Sequence, residues 1–314
     1  MNTIKPRKLQ KGDLIGIISP ASAPDDLSRI EKGINYLEKL GYRTILGKNT
    51  SKDYGYLAGT DDERVSDLHE MFSNKDVKAI FCTRGGYGTP RLLDKIDYKL
   101  VRKNPKIFVG YSDITTLQLA FYKKCGLVTF AGPMLAVDFY NNVSSFTEEF
   151  FWSLITSGKK MGKIKQPENR SIKKYIKNSS EGIVLGGNLA LTTSIMGTEY
   201  FPSFKEKILM LEEVGETPYR VDRLLNQLKL AGIFEQVNGI LLGSFTDCEE
   251  TDLTKKTLSL DQVLDDYLSN LKVNVTLNFQ HGHIKDNITV PFGTRIKVNS
   301  SKESIEFLEA AVEY

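Results

Sequence analysis

Histidine is scarce in this chain of 314 residues: His69, His281 and His283 are the full set. Any imidazole chemistry must use one of these three. His69 lies in "RVSDLHEMF", whose apolar spacing is helical, and there it suits a surface or packing role. Cysteine is equally sparse. Cys82, Cys125 and Cys248 are widely separated and contain no CxxC pair, which argues for reduced thiols and against a disulfide framework. Long hydrophobic runs are missing too. The apolar run near the amino end, "LIGIIS", is too short for a signal peptide's apolar region or for a membrane span. A cytoplasmic protein with no membrane partner is expected. Charge of one sign is also lacking. The net charge is only +3, with no long basic block, so no nucleic-acid partner is expected. The locally basic "KKYIKNSS" (173–180) reads as a solvated loop. There is no internal repeat and no low-complexity tract.

What is present is ordinary for a globular protein, 40% apolar and 26% charged. Folding a chain of this length buries roughly 70–75% of its unfolded surface, enough for one large domain or two ordinary ones. Residues 13–19, "DLIGIIS", read as a buried parallel strand. In the next stretch Leu27, Ile30, Ile34, Leu37 and Leu40 recur at helical spacing, with Pro24 in the first turn and Gly41 at the stop. Strand and helix patterns then alternate: "YRTILG", "DDERVSDLHEMFSN", "VKAIFCT", a short "TPRLLDKID", "KIFVG", "DITTLQLAFYKKCG" and "LVTFAG". This is the signature of an α/β layer with a parallel sheet, Rossmann-like or flavodoxin-like, expected over residues 1–160. Residues 162–182 are polar without apolar period, and 161–180 are expected to connect two domains. Residues 181–314 carry more short strands and suggest a smaller mixed domain with barrel-like strands.

In α/β sheets, function sits at the carboxyl ends of the strands. Two unusual segments fall there. "KIFVG" stops abruptly at Gly110-Tyr111-Ser112-Asp113 and continues as a helix. A nucleophile elbow would expose Oγ on such a corner and place the following N–H at an oxyanion, but the second glycine of G-x-S-x-G is missing. The plainer alternative is that Ser112 caps its helix. "TRGGYG" (83–88) could cradle phosphate, complete an oxyanion hole, hold a carboxylate, or simply turn. Two further segments lie in the second half. The apolar "KILMLEEV" ends in Glu212 and Glu213, of which at most one faces a site because strand side chains alternate. Both acids could equally be solvated. "QHGHIKDNITVPFG" places His281 and His283 around Gly282, and no further His or Cys completes a metal site. A neutral imidazole could take a serine proton while a carboxylate orients the ring.

Together, "LAGTDDERVSDLHEMFSNKDVKAIFCTRGGYGTPRLLDKIDY", "NPKIFVGYSDITTL", "GGNLALT", "LEEVGETPYRVDRLL" and "GHIKDNITVPFG" closely resemble the LD-carboxypeptidase family of serine peptidases. That family includes muropeptide LD-carboxypeptidases and microcin C immunity proteins. The resemblance runs over about residues 8–310. It implies an N-terminal α/β domain, a smaller C-terminal domain and a Ser-Glu-His triad between them. Carried over by motif, Ser112 is the nucleophile, His283 the base and Glu212 the orienting acid. The Asp113 N–H, with one from Gly85-Gly86, would form the oxyanion hole, and Gly186, Gly187 and Asn188 would help bind substrate. The resemblance further implies a small peptide substrate, such as a murein tetrapeptide, a homodimer, and no cofactor or metal. Microcin-like peptidyl-adenylates are the alternative substrate. A nucleotide- or phosphate-binding protein using the "RGGYG" loop is the alternative of another class. The chain departs from many relatives at Ala131, where they carry a histidine, and at Glu213, where aspartate is more usual. It is also short where immunity-type relatives carry insertions, which favours the muropeptide branch.

Overall fold

The isoleucine-rich run becomes a strand buried along nearly its whole length, and a parallel sheet grows on both sides of it. A computed structural model describes residues 3–164, 173–174, 179–252 and 254–314. In chain order the first half holds β1 (Leu14–Ile18), α1 (Ser28–Lys39), β2 (Arg43–Leu46), α2 (Asp61–Ser73), β3 (Val77–Cys82), α3 (Tyr98–Lys103), β4 (Ile107–Val109), α4 (Thr115–Cys125), β5 (Thr129–Ala131) and α5 (Ser145–Thr156). The second half holds β6 (Gly162–Lys163), β7 (Lys173–Lys174), β8 (Ser179–Asn188), α6 (Leu189–Ser194), β9 (Ile208–Val214), α7 (Pro218–Leu230), α8 (Ile233–Gln236), β10 (Gly239–Thr246), α9 (Leu260–Leu268), β11 (Asn274–Leu277), β12 (Val290–Phe292), β13 (Arg295–Asn299) and β14 (Ser304–Phe307).

The first sheet runs β2-β1-β3-β4-β5-β12. Its first five strands are parallel, in the flavodoxin-like order. All three residues of β4 are buried, as a strand covered by helices on both faces must be. The chain winds outward from β1 to β2 and then back across to β3. The reversal falls between β1 and β3, and the loops after β1, β3 and β4 meet at the carboxyl ends.

Two local expectations shift. α1 starts at Ser28, later than Pro24, because the Asp26 carboxylate accepts from the Ser28 N–H and hydroxyl and closes a turn ahead of the helix. The helix expected in "TPRLLDKID" is only a single 3-10 turn, Thr89–Leu92.

The second sheet runs β6-β14-β13-β8-β9-β10-β11-β7, parallel from β8 to β11 and antiparallel at both flanks. β8 serves two neighbours along its length. Residues 179–183 pair with β13, and 184–188 pair with β9. Within the expected connection, residues 162–163 pair with β14, 173–174 with β11 and 179–180 with β13. Residues 165–172 and 175–178, including part of the basic "KKYIKNSS", lie outside the described residues. β12 comes from the second half of the chain but joins the first sheet, antiparallel to β5. Gly293, at φ +98°, turns it directly into β13 of the second sheet. A single hydrophobic cluster holds Phe108, Leu117 and Phe121 from the first half with Val184, Leu209 and Leu211 from the second. The carboxyl ends of β3, β4, β8 and β9 are thereby brought to one place.

Candidate active site

The corner after β4 is built around a residue with no room for a side chain. A Cβ on Gly110 would lie 2.9 Å from the Ile114 side chain. The Gln118 amide donates to the Gly110 carbonyl at 2.9 Å and fixes the bend. Tyr111 is extended, and Ser112 then takes φ +63°, the left-handed region that costs a non-glycine residue energy. A 3-10 turn, Ser112–Ile114, runs from there into α4. The caps of the turn and of the helix fall on Tyr111 and Ile114, and neither has a side-chain cap bond. Ser112 thus occupies a strained corner instead of capping α4, and it remains half-buried among fully buried neighbours.

The loop after β3 crosses directly over this corner. A Cβ on Gly85 would lie 2.8 Å from Ser112 Cβ, 2.9 Å from its Oγ and 3.2 Å from the Asp113 backbone nitrogen. Only glycine lets the loop pass so close. Gly86 has φ +108° and packs on Ser22, whose Oγ accepts from the Tyr87 N–H at 3.1 Å and donates to the Tyr56 carbonyl at 2.6 Å. The loop is also stitched to the corner. Asp113 Oδ2 accepts from the Thr89 N–H at 2.8 Å, and the Asp113 carbonyl accepts from Thr89 Oγ1. Burial pushes the Asp113 carboxyl up. Underneath, the buried Arg64 donates to the Pro20 carbonyl at 2.6 Å, the Gly88 carbonyl at 3.0 Å and Asp61 at 2.5 Å.

Both acids at the end of β9 are buried, 1% exposed for Glu212 and 2% for Glu213, so neither is a solvated strand end. Strand parity separates them. Glu212 Oε2 accepts from His283 Nδ1 at 2.7 Å. Glu213 turns the other way and accepts from Asn188 Nδ2 at 2.7 Å, the Ala190 N–H at 2.8 Å and the Val214 N–H at 2.9 Å. Burial outweighs those bonds and pushes its carboxyl up to about 7. The two histidines are equally distinct. His281 is 1% exposed, its Nδ1 lies 2.7 Å from the Ile288 carbonyl, and burial pushes it down. Gly282, at φ +132°, lies against Glu212 and turns the chain so that His283 faces it. Burial pushes the His283 imidazole down. The Glu212 bond and the charges of Glu212, Glu213 and Asp138 more than offset this, and the net shift is upward.

Two residues passed over in the sequence stand beside this pair. The Tyr111 ring meets the His283 ring edge-on, with centroids 5.0 Å apart at 65°. Asp138, on a π-helical turn at Leu135–Phe139, faces both Tyr111 and His283. Tyr111 was visible inside "GYSD", but nothing in the sequence marks Asp138. Gly186 and Gly187 have φ +140° and +126°, and a Cβ on either would strike Met210 or Thr115. Asn188 caps α6 by accepting from the Leu191 N–H, and its amide donates to Glu213, so its side chain is engaged within the fold. A strained serine under a close-packed glycine loop and an imidazole whose Nδ1 is held by a carboxylate are groups of the kind that acyl transfer uses.

Residues 15–132 match the family model for the LD-carboxypeptidase N-terminal domain, and residues 181–298 match that for its C-terminal domain. The chain is 41% identical to the probable murein peptide carboxypeptidase of Bacillus subtilis, over 98% of this chain and 95% of that protein. It is 32% identical to the microcin C7 self-immunity protein MccF of Escherichia coli, over 96% and 94% of the two chains. A solved wild-type apo structure of MccF superimposes with a TM-score of 0.89, covering 99% of this chain and 100% of that one. The crystal structure of muramoyltetrapeptide carboxypeptidase from Oxalobacter formigenes superimposes with a TM-score of 0.80 at 31% identity, over 93% and 97% of the chains.

Proposed function

The chain belongs to the LD-carboxypeptidase family of serine-type carboxypeptidases, and from that premise we propose that it removes a C-terminal D-amino acid from a murein-type peptide through an acyl-enzyme. Ser112 Oγ attacks the carbonyl of the L-configured residue before the scissile bond. His283 Nε2 takes the serine proton and passes it to the leaving amine, while Glu212 holds Nδ1 and stabilises the imidazolium. The Asp113 N–H, with one from the Gly85-Gly86 loop, receives the oxyanion. Water, activated by the same imidazole, then releases the shortened peptide. The observation that carries this reading is the 2.7 Å His283–Glu212 bond beside a serine at φ +63°.

The higher identity to a murein peptide carboxypeptidase than to MccF favours a murein peptide over a peptidyl-adenylate. The close packing of Gly85 on Ser112 disfavours a phosphate cradle in that loop. We place the enzyme in the cytoplasm, in peptidoglycan recycling, as a homodimer; sedimentation of the purified chain tests the last point.

A serine triad has no intrinsic preference for either hand, so selectivity must come from where the leaving residue's carboxylate and side chain are held. Leaving a buried polar contact unpaired costs a few kcal/mol, and each ~1.4 kcal/mol is tenfold. The L,D-peptide should therefore exceed its L,L-isomer in kcat/KM by on the order of a hundredfold. The C-terminal amide should be cleaved only slightly. The backbone N–H groups of Gly85-Gly86 or of Gly186-Gly187 are the proposed holders of that carboxylate, since the Asn188 N–H is already given to Thr115 Oγ1 at 3.1 Å. All three peptides and a peptidyl-adenylate are measured with one preparation. Comparable rates on both isomers would refute the specificity, and a faster adenylate would reverse the substrate assignment.

A further inference from the structure

Beside Ser112, His283 and Glu212 stands another carboxylate that the proposed reaction leaves without a role. Asp138 lies on the five-residue π-helical turn after β5. Such turns are rare in proteins and frequent at functional sites. This one is fixed by three hydrogen bonds. The Ala136 N–H donates to the Thr83 carbonyl at 2.8 Å, which ties the turn to the carboxyl end of β3. Asp138 Oδ2 accepts from the Met134 N–H at 2.8 Å, and the Asp138 N–H returns to the Met134 carbonyl at 2.9 Å. The carboxylate is half-buried and held rigidly.

It faces the hydroxyl of Tyr111, the residue immediately before Ser112. A buried phenol needs a polar partner, and the Tyr111 ring is buried. The same ring meets His283 edge-on at 5.0 Å. Asp138 thus faces the hydroxyl end of the Tyr111 ring, and the ring itself meets the imidazole. Glu212 fixes one ring atom of His283, which still leaves the ring free to swing about that bond. Tyr111 removes this freedom. The groups that face His283 are Glu212 and Glu213 from β9, Asp138 from the π turn, Tyr111 from the end of β4, and His281 from its own loop. Glu213 has three hydrogen-bond donors of its own, and Glu212 has the Nδ1 bond. Asp138 adds the influence of a third carboxyl group.

We propose that Asp138 is a positioning residue for the hydrolysis, holding the His283 ring through Tyr111 and favouring its protonated form as the serine proton arrives. This deepens the reading above and rests on it. No proton passes to Asp138: the proton moves from Ser112 Oγ to His283 Nε2 and on to the leaving amine.

The test uses a fluorophosphonate, which modifies Ser112 without any peptide specificity. Its rate is followed from acid to neutral pH in the wild type, Asp138→Asn and Tyr111→Phe. Removing a nearby negative charge lowers the pH at which imidazole becomes neutral. In Asp138→Asn the midpoint of the acid limb should move to lower pH by about half a unit, a threefold change in the imidazole's proton affinity, and the foot of the limb should move less because Asp138 itself takes up a proton at about 6. The plateau itself should fall on the order of tenfold, as expected for a misoriented base. Tyr111→Phe keeps the charge and should lower the plateau with a smaller movement of the limb. An Asp138→Asn limb that superimposes on the wild type overturns the electrostatic part. An unchanged plateau in Tyr111→Phe, a variant that leaves the ring packing intact, overturns the positioning part even if Asp138→Asn fails to fold. Labelling of a wild type that does not cleave L,D-peptides sinks the substrate assignment alone. If the wild type does not label, the ring resonance of His283, one of only three histidines, is titrated instead, and an unmoved midpoint in Asp138→Asn overturns the proposal.

Discussion

Glu212 and Glu213 are chemically identical, adjacent and both buried, yet they meet opposite surroundings. One meets an imidazole; the other meets three N–H donors at the start of α6 and the end of β9. If the proposed triad is right, Glu212→Gln leaves His283 in the wrong tautomer, and kcat should fall by on the order of 10³–10⁴. Glu213→Gln should cost far less in kcat. The same comparison applies to the histidines: His283→Ala should abolish turnover, whereas His281→Ala removes a ring bonded to the Ile288 carbonyl and should act through stability. Ser112→Ala should keep the fold and lose at least about 10⁴ of turnover. Activity within about tenfold of wild type, ~1.4 kcal/mol of barrier, would remove Ser112 from the reaction. The net upward shift of His283 predicts an acid limb of kcat/KM above the ordinary histidine range, with activity falling as pH drops through it. From the sequence, parity limits the site to one glutamate of the pair, but not to which one. That choice depends on register, and register is set by the pairing of β8 with β9, in which Asn188 stands opposite Glu212.

The glycine loop, the Ser112 corner and α2 act together as elements. Arg64, buried on α2, grips the Pro20 and Gly88 carbonyls from below, and Asp61 is shared between Arg64 and Arg91. Arg64→Met would strip both carbonyls of their donor but leave Asp61 paired with Arg91. Orphaned buried groups cost ~1–3 kcal/mol each. The variant should lose roughly 3 kcal/mol by urea titration, on the same basis. It should also lose activity as the loop drifts from Ser112. A variant as stable as wild type would show that Arg64 does not support the loop. Gly85→Ala should abolish activity with little loss of structure elsewhere, because its Cβ would meet Ser112 and the Asp113 backbone at about 3 Å. The elements themselves were legible wherever the pattern was local. β1, β3, β4, α2 and α4 fall where apolar runs and periodicity place them. The membership of β12 in the first sheet was not, since a three-residue strand carries no mark of a partner some 160 residues away in the chain. The π turn that carries Asp138 was likewise hidden, because it is tied to a distant part of the chain, the Ala136 N–H donating to the Thr83 carbonyl just after β3.

For the molecule as a whole, the buried carboxyl of Glu213 couples stability to pH. In the folded state it is pushed up to about 7 from its ordinary 4.5, chiefly by burial. Between those values the folded state holds a proton that the unfolded chain has released, so stability falls as pH rises through this window and is constant on either side of it. Two and a half pH units at ~1.4 kcal/mol each make the loss about 3 kcal/mol. Asp138, pushed up to about 6 by burial, acts with the same sign. His281 and His69, both pushed down by burial, act with the opposite one: their folded forms resist protonation, and stability falls as pH drops below the ordinary histidine value. A single stability profile would mix these contributions. The difference between wild type and Glu213→Gln isolates one of them. The glutamine cannot ionise, and its amide group would face the Ala190 N–H, so the variant should be the less stable protein in acid. Above pH 7 the wild type has lost its advantage from the bound proton, and the gap between the two should have narrowed by about 3 kcal/mol. Urea unfolding of both proteins at intervals from pH 4.5 to 8 measures that gap. Parallel curves would mean that Glu213 is ionised throughout, held as a carboxylate by Asn188, Ala190 and Val214 in spite of its burial.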